Sequence, residues 1–343
     1  MPLKMAGKAP AGKHLAEIKK SPNYKESGFQ NLSATPMMSD DSSYWKMLKD
    51  FLKKNNKKVP SITLPSVITD LIHPSLPQPF IVWFGHSSYL LRIHDKNFLV
   101  DPVFSGNASP VSFLVNAFPG TNVYGVKDMP DIDYLIITHD HYDHLDFKTV
   151  VSLKEKVKKI VCPLGVGAHL QYWGYEANQI TELDWWGAVE LNKKIKITSA
   201  PARHFSGRGI KRGQTLWSSF ILQTETHNLY LGGDSGYDSH FKEIGNQFGP
   251  FDLAILECGQ YNSMWPLIHM KPEETVQASL DLQAKILMPV HWAKFSLAMH
   301  PWNESIIRAT AKATDLSVDL RMPRIGEPLM IDNEFAGAHW WEV

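Results

Sequence analysis

The stretch LIITHDHYDHLD, Leu135 to Asp146, crowds three histidines and two aspartates between His139 and His144, directly behind an apolar run. A short apolar run of this kind reads as a buried strand, so the polar cluster begins where a strand ends. Ionisable groups packed this densely are costly to bury unless a cation or hydrogen-bond partners compensate them. Residues from distant segments must therefore close the cluster, and that demand constrains the fold more than any other feature.

Three later apolar runs end in the same way: ITSAPAR precedes His204, LYLGG precedes Asp234, and ILMPV precedes His291. With His139, His141, Asp143 and His144, seven potential ligands stand at four strand ends. In layered α/β folds the loops at one strand edge converge to build a site. The donors are imidazoles and carboxylates without a thiolate. That suits Zn, Fe or Mn, with zinc expected first, and argues against a structural Cys-type zinc site. Seven donors exceed one tetrahedral shell and suit two divalent ions about 3.5–4 Å apart that share a carboxylate. Taken singly, His204 or His291 is more often an ordinary histidine, and Asp234 in GGDSG is as readily a turn residue. The density of H-x-H-x-D-H tips the set.

The rest of the chain supports a layered fold. FIVWFG, SYLLRI and NFLVD predict an antiparallel start, DIDYLIIT and KIVCP buried strands, and FKTVVSLKEKV a helix between them. KIKITSAPA, SSFILQT, NLYLGGD, DLAILECG and KILMPV form a second strand series. The helix KPEETVQASLDLQA falls before the last of these, with Pro272 in its first turn. Two β-rich halves, each with helices, imply stacked sheets with helices outside.

Residues 1–75 differ in character from the body, 76–343, and HPSLPQP reads as the linker between them. Within the extension, Asp41, Ser42 and Ser43 offer N-cap chemistry. Tyr44, Trp45, Leu48, Phe51 and Leu52 follow at helical spacing, with Lys46, Lys49, Lys53 and Lys54 around them: a basic amphipathic helix. Such a helix suits contact with an anionic lipid surface, although packing of its apolar face on the protein's own body is the simpler expectation. The first expectation predicts that deleting residues 1–58 weakens action on vesicles more than on soluble substrate.

The 343 residues carry 35 basic and 35 acidic side chains, so no net field attracts a polyanion, and a nucleic-acid partner is not expected. A small-molecule or lipid substrate, a peripheral membrane contact and self-association all remain compatible. No apolar run approaches the roughly 20 residues of a membrane span, and the basic N-terminus lacks the apolar stretch of a secretory signal. With two cysteines, Cys162 and Cys258, no disulfide framework is expected. The simplest placement is cytoplasmic; a natural anchor ahead of this sequence would make it periplasmic.

The motifs VWFGHSSYLLRI, FLVDPVFS, THDHYDHLD, PARHFSGR, GGDSGY and HMKPEE, in this order, resemble the metallo-β-lactamase superfamily. More narrowly, they resemble the branch containing N-acylphosphatidylethanolamine phospholipase D and its bacterial relatives. SPNYKESGFQN resembles the lead-in of those bacterial relatives. The resemblance implies an α/β (α+β) fold, the four-layer αββα sandwich, with a dinuclear site at one edge. It implies that His139, His141 and His204 bind one metal, that Asp143, His144 and His291 bind the other, and that Asp234 bridges them. A hydroxide between the ions would be the nucleophile, which gives Asp143 and Asp234 a catalytic role. Asp101 in LVDP would orient a ligand. His269 corresponds to a histidine near the site, able to protonate a leaving alkoxide or hold a phosphate oxygen; a capping or surface histidine is the competing reading.

The implied activity is a metal-dependent hydrolase of the phospholipase D type, cleaving a phosphodiester in an N-acylphosphatidylethanolamine-like glycerophospholipid. The ligands do not choose between phosphorus and carbonyl centres, so a lactonase or an amide or β-lactam hydrolase is the alternative. Three further features start as ordinary. His86 in FGHSS reads as a satisfied structural histidine rather than a neighbour of the site. Trp185, Trp186, Tyr261, Trp265 and Trp292 are candidates for an apolar channel, with core packing the competing role of each. Cys258 reads as a small buried strand residue.

Overall fold

The computed structural model describes residues 2–39, 57–111, 114–209 and 211–342. After a small hairpin of β1 (Tyr24–Lys25) and β2 (Gly28–Phe29), its strands form two sheets of seven. The first contains β3 (Phe80–Trp83), β4 (Tyr89–Ile93), β5 (Lys96–Val100), β6 (Ile132–Ile136), β7 (Val157–Pro163) and β8 (Ile180–Leu183), with β16 (Pro328–Met330) beside β3. β3, β4 and β5 pair antiparallel, as their sequences predict, and pairing from β5 to β8 is parallel. The second sheet runs β9 (Ala188–Asn192), β10 (Ile195–Ala200), β11 (Ser219–Thr224), β12 (Asn228–Leu231), β13 (Leu253–Glu257), β14 (Ile286–Val290) and β15 (Asp319–Leu320). It too changes from antiparallel to parallel, at β12.

Side chains alternate across each strand, and the core follows that period of two. Ile81 and Trp83 of β3 join Leu253 and Ile255 of β13 in a cluster between the sheets. Their neighbours Phe80 and Val82 face outward, where Val150 of α3 (Phe147–Ser152) and Leu170 of α4 (Gly167–Tyr172) cover them. On the other side, Ala254 and Leu256 pack against three helices. These are α5 (His240–Phe248), α6 (Pro272–Asp281) and α7 (Glu304–Asp315). Helix, sheet, sheet, helix is the αββα sandwich the motifs imply.

Local chemistry sets the ends of several elements. Asp146 caps α3 by accepting from the Lys148 N–H. The helix expected over FKTVVSLKEKV stops after six residues and gives way to a 3₁₀ turn at Lys154–Lys156, because the chain must enter β7 at Val157. α6 opens with Pro272 in its first turn, as predicted, and Glu274 accepts from the Lys271 N–H at 2.8 Å. The sequence reading did not mark β8, β9, α5 or α7.

Before α3 the described residues form two short helices, α1 (Pro2–Met5) and α2 (Gly12–Ile18). Ile18 and Phe29 pack with Trp185, Ala202 and Trp217, Leu64 enters the inter-sheet core, and Ser66 pairs with Ile325. The basic amphipathic helix expected near Trp45 lies outside the described residues. Among the described residues no helix is long and apolar enough to cross a membrane.

Candidate metal centre

Close backbone approach shapes the loops that carry the donors. Asp234 follows Gly232 and Gly233, where a Cβ would stand 2.4 Å from the Ile255 carbonyl and 2.6 Å from the Ser218 carbonyl. Only glycine lets β12 pass so near its neighbours. His86 and His291 both take positive φ, +53° and +68°, a conformation that non-glycine residues keep where the surroundings enforce it. Here the enforcement is mutual: the His291 N–H donates to the His86 carbonyl (3.0 Å), and the His86 N–H to the Trp292 carbonyl (2.9 Å).

All seven donors read from the sequence meet at one place. Ligand atoms of His86, Asp143, His144 and His291 lie within 4.8 Å of one another, and so do those of His139, His141, His204 and Asp234. A third set joins Asp234, His269 and His291. The Asp234 carboxylate stands between the first two sets. Its Oδ2 is 3.2 Å from His144 Nε2 and 3.7 Å from the Nε2 atoms of His139 and His204, and its Oδ1 is 3.2 Å from His291 Nδ1.

The hydrogen bonds fix which ring nitrogens are bare. His204 Nδ1 lies 2.8 Å from the Ile268 carbonyl, which can only accept, so the proton belongs on Nδ1 and Nε2 carries a lone pair. His144 Nδ1 lies 2.7 Å from Asp101 Oδ2, and its Nε2 faces the oxygens of Asp234 and Asp143 at 3.2 and 3.6 Å. Lone pairs aimed at carboxylate oxygens repel unless positive charge lies between them. The buried atoms His144 Nε2, His291 Nε2 and Asp234 Oδ1 have no hydrogen-bond partner. A cation would compensate this set, and the residues fit one.

Electrostatics agree with that fit. Burial pushes the imidazoles of His139, His204 and His291 well below the usual histidine value, which keeps them neutral as ligation requires. Burial opposes charge on Asp234, yet His144 and His291 outweigh it and hold the carboxyl well below the usual carboxylate range. Burial likewise opposes charge on His144, and the carboxylates of Asp234, Asp143 and Asp101 raise it well above the usual value. A proton or a metal ion has to take up that excess of negative charge.

Residues around the donors explain their orientation. Asp101 accepts from the Thr138 N–H (2.9 Å) and hydroxyl (2.6 Å) as well as from His144, so it aims the ring as expected. His86 is closer to the site than its sequence context indicated: Nε2 is 3.0 Å from Asp143 Oδ2, and Nδ1 is buried without a partner. His269 is no surface residue; its ring stacks on His291 at 5.2 Å, with Nδ1 3.4 Å from Glu257 Oε1.

Three residues of this neighbourhood escaped the sequence reading. Burial pushes Glu257 up to about 7 against the pull of His269, and its only signal was an acid closing an apolar strand. Asn31 holds the His204 backbone from both sides, donating to the carbonyl at 2.7 Å and accepting from the N–H at 3.1 Å. Arg208, fully buried, donates to the carbonyls of Asp140, Leu145 and Met5 and so ties the motif loop to the N-terminal segment.

The donors open onto a cavity of about 250 Å³. Met37, Met38, Phe205, Trp265, Ile268 and Leu297 give it apolar walls, with His141, Asp143, Asp234, His269 and His291 among its lining. Of the five aromatic candidates Trp265 alone lines this cavity. Trp292 belongs to the inter-sheet core and Trp185 packs on Trp217; Trp186 stacks on Phe248 and Tyr261 on His300. Cys258 is free and buried, as expected.

Residues 96–292 match the model of the beta-lactamase superfamily domain. The chain belongs to the metallo-β-lactamase superfamily. It is similar to an uncharacterized protein of Mycobacterium tuberculosis, 36% identical over 96% of this chain and 89% of the relative. It is also similar to N-acyl-phosphatidylethanolamine-hydrolyzing phospholipase D 1 of Caenorhabditis elegans, 33% identical over 71% of this chain and 72% of that protein. Among solved structures, a metallo hydrolase from the archaeon Ignicoccus hospitalis shares the fold with a TM-score of 0.55 at 18% identity, over 73% of this chain and 97% of that one. This member of the metallo-β-lactamase superfamily is a metal-dependent hydrolase whose His/Asp clusters could bind metal.

Proposed function

We propose that this hydrolase is a dinuclear phosphodiesterase of the phospholipase D type, acting on N-acylphosphatidylethanolamine-like glycerophospholipids. The observation that carries the reading is the cavity onto which acidic and imidazole donors open beside Met37, Met38, Phe205, Trp265 and Leu297. Such a cavity pairs a charged reaction centre with walls suited to the apolar part of a lipid. The name of the C. elegans relative points the same way.

In this reading His139, His141 and His204 would hold one ion and Asp143, His144 and His291 the other, with the Asp234 carboxylate near donors of both sets. Two divalent ions there supply a water of lowered pKa and a Lewis acid for the phosphoryl oxygens. Asp101 keeps the His144 ring turned so that Nε2 faces Asp234 and Asp143. His269 lines the cavity with Glu257 behind it, and in this reading it would give a proton to the leaving alkoxide. Apolar walls limit competing water around the lipid.

The test is a substrate panel run on metal-replete protein. The reading expects turnover of a short-chain N-acylphosphatidylethanolamine, releasing phosphatidate and an N-acylethanolamine. Hydrolysis of lactones or β-lactams with phosphodiesters untouched would transfer the site to carbonyl chemistry.

A further inference from the structure

A second, larger depression adjoins the apolar cavity. It encloses about 560 Å³ between the N-terminal segment, residues 25–37, and the loops at 204–205 and 212–217. Met37, His204, Phe205, Arg212 and Ile268 line both spaces, so the two are continuous. The character of the groove differs from that of the cavity. Ser27, Gln30, Asn31, Ser33 and Thr35 line it, Lys25 and Arg212 bring positive charge, and no carboxylate is among its lining residues that the structure describes.

Arg212 stands at the junction. Its guanidinium lies 5.2 Å from the centre of the Phe205 ring, and that ring packs 4.5 Å from His141 and 4.8 Å from His204. The cation is thus one aromatic ring away from two of the metal donors. One N–H points at Met37 Sδ at 2.8 Å, a weak acceptor. Among the described residues, the remaining N–H groups of the fork have no acceptor and no carboxylate lies within ion-pair distance. An arginine held over an aromatic ring with donors left over in its fork can receive a planar or tetrahedral oxyanion.

We propose that Arg212, with Lys25 lining the same groove, forms an anion subsite that recognises a phosphoryl oxygen of the substrate where the groove joins the cavity. The subsite makes the protein select negatively charged phosphate esters over neutral esters of similar size. The inference deepens the phosphodiesterase reading and rests on it for the identity of the anion. The rigid wall comes from the N-terminal segment: Asn31 fastens it to His204, and Arg203 donates to Thr35 Oγ1 (3.0 Å) and to the Ala34 carbonyl (2.9 Å).

Two measurements on metal-replete protein test it. The first compares Arg212→Gln, Arg212→Lys and Lys25→Gln with wild type on an anionic phosphodiester and on its neutral methyl triester. Arg212→Gln is expected to raise KM for the diester about tenfold or more, with a loss on the triester at least several-fold smaller, and Arg212→Lys to recover part of the diester affinity. Equal losses on both esters, or no loss on the diester, overturn the subsite. The second measures binding of inorganic phosphate by calorimetry, which needs no turnover. Weaker phosphate binding in Arg212→Gln supports the subsite even if lactones prove to be the substrates, so failure of the phosphodiesterase reading is seen separately. Phosphate affinity unchanged by Arg212→Gln and by Lys25→Gln overturns it.

Discussion

His144 and Asp101 meet through a 2.7 Å contact between Nδ1 and Oδ2, and this one contact sets the tautomer of a central donor ring. Asp101 itself sits at φ +40° behind the motif loop and accepts twice from Thr138. Asp101→Asn keeps the shape and tolerates the positive φ, since asparagine adopts it readily. It replaces an acceptor with an amide that serves the three donors poorly. Metal affinity is expected to fall about 10–100-fold with the fold retained, measured by competition with a chromophoric chelator. An unchanged affinity would remove Asp101 from this role.

Asn31 substitutes for a strand partner of the His204 backbone, and it also accepts from Trp217 Nε1 at 3.1 Å. Asn31→Ala leaves the part-buried His204 N–H and carbonyl without these partners. The expected cost is about 1–3 kcal/mol, read as a lower urea midpoint at unchanged slope.

The same contacts revise the expectation for truncation. A segment that only docked on lipid would spare soluble substrate when removed. Instead residues 31 and 37 clamp and line the site. Deleting residues 1–58 is therefore expected to lower kcat/KM on a short-chain soluble substrate as well as on vesicles.

Lys294 provides the pH dependence. Its Nζ donates to the carbonyls of Phe84 (3.1 Å) and Val103 (2.9 Å), and burial pushes it down to about 7. Between about 7 and the ordinary lysine value the unfolded chain binds the extra proton, so this group makes the fold more stable as pH rises. Urea unfolding of wild type at pH 7 and pH 9 is expected to show that gain. In Lys294→Met it should shrink or vanish, whatever the variant's absolute stability.

The donor set was legible because its signal is local: four donors in six residues, then single donors each closing an apolar run. Stacked sheets were legible from two series of short apolar runs with helices between them, and the αββα order from the resemblance of the motifs; strands such as β3 and β13 are apolar throughout because their two faces feed different cores. Asn31 gave no such signal and Glu257 only that of an acid closing an apolar run, because their meaning lies in partners more than ten residues away. His86 looked ordinary for the same reason: only the fold brings it to Asp143. β8 and β9 are edge strands with half-exposed faces, ITEL and AVELN, and carry no apolar run to read. α3 was overestimated because β7 claims the residues after it.

The central claim is that one carboxylate, Asp234, ties two cation-binding sets together, and elemental analysis tests it most directly. Wild-type protein, loaded and then dialysed, is expected to retain about two divalent ions per chain. Asp234→Ala should retain fewer, lose turnover to the assay background, and keep its circular dichroism spectrum. A wild-type chain that holds no divalent ion after saturating exposure, or an Asp234→Ala variant with full metal content and normal rates, would contradict the account.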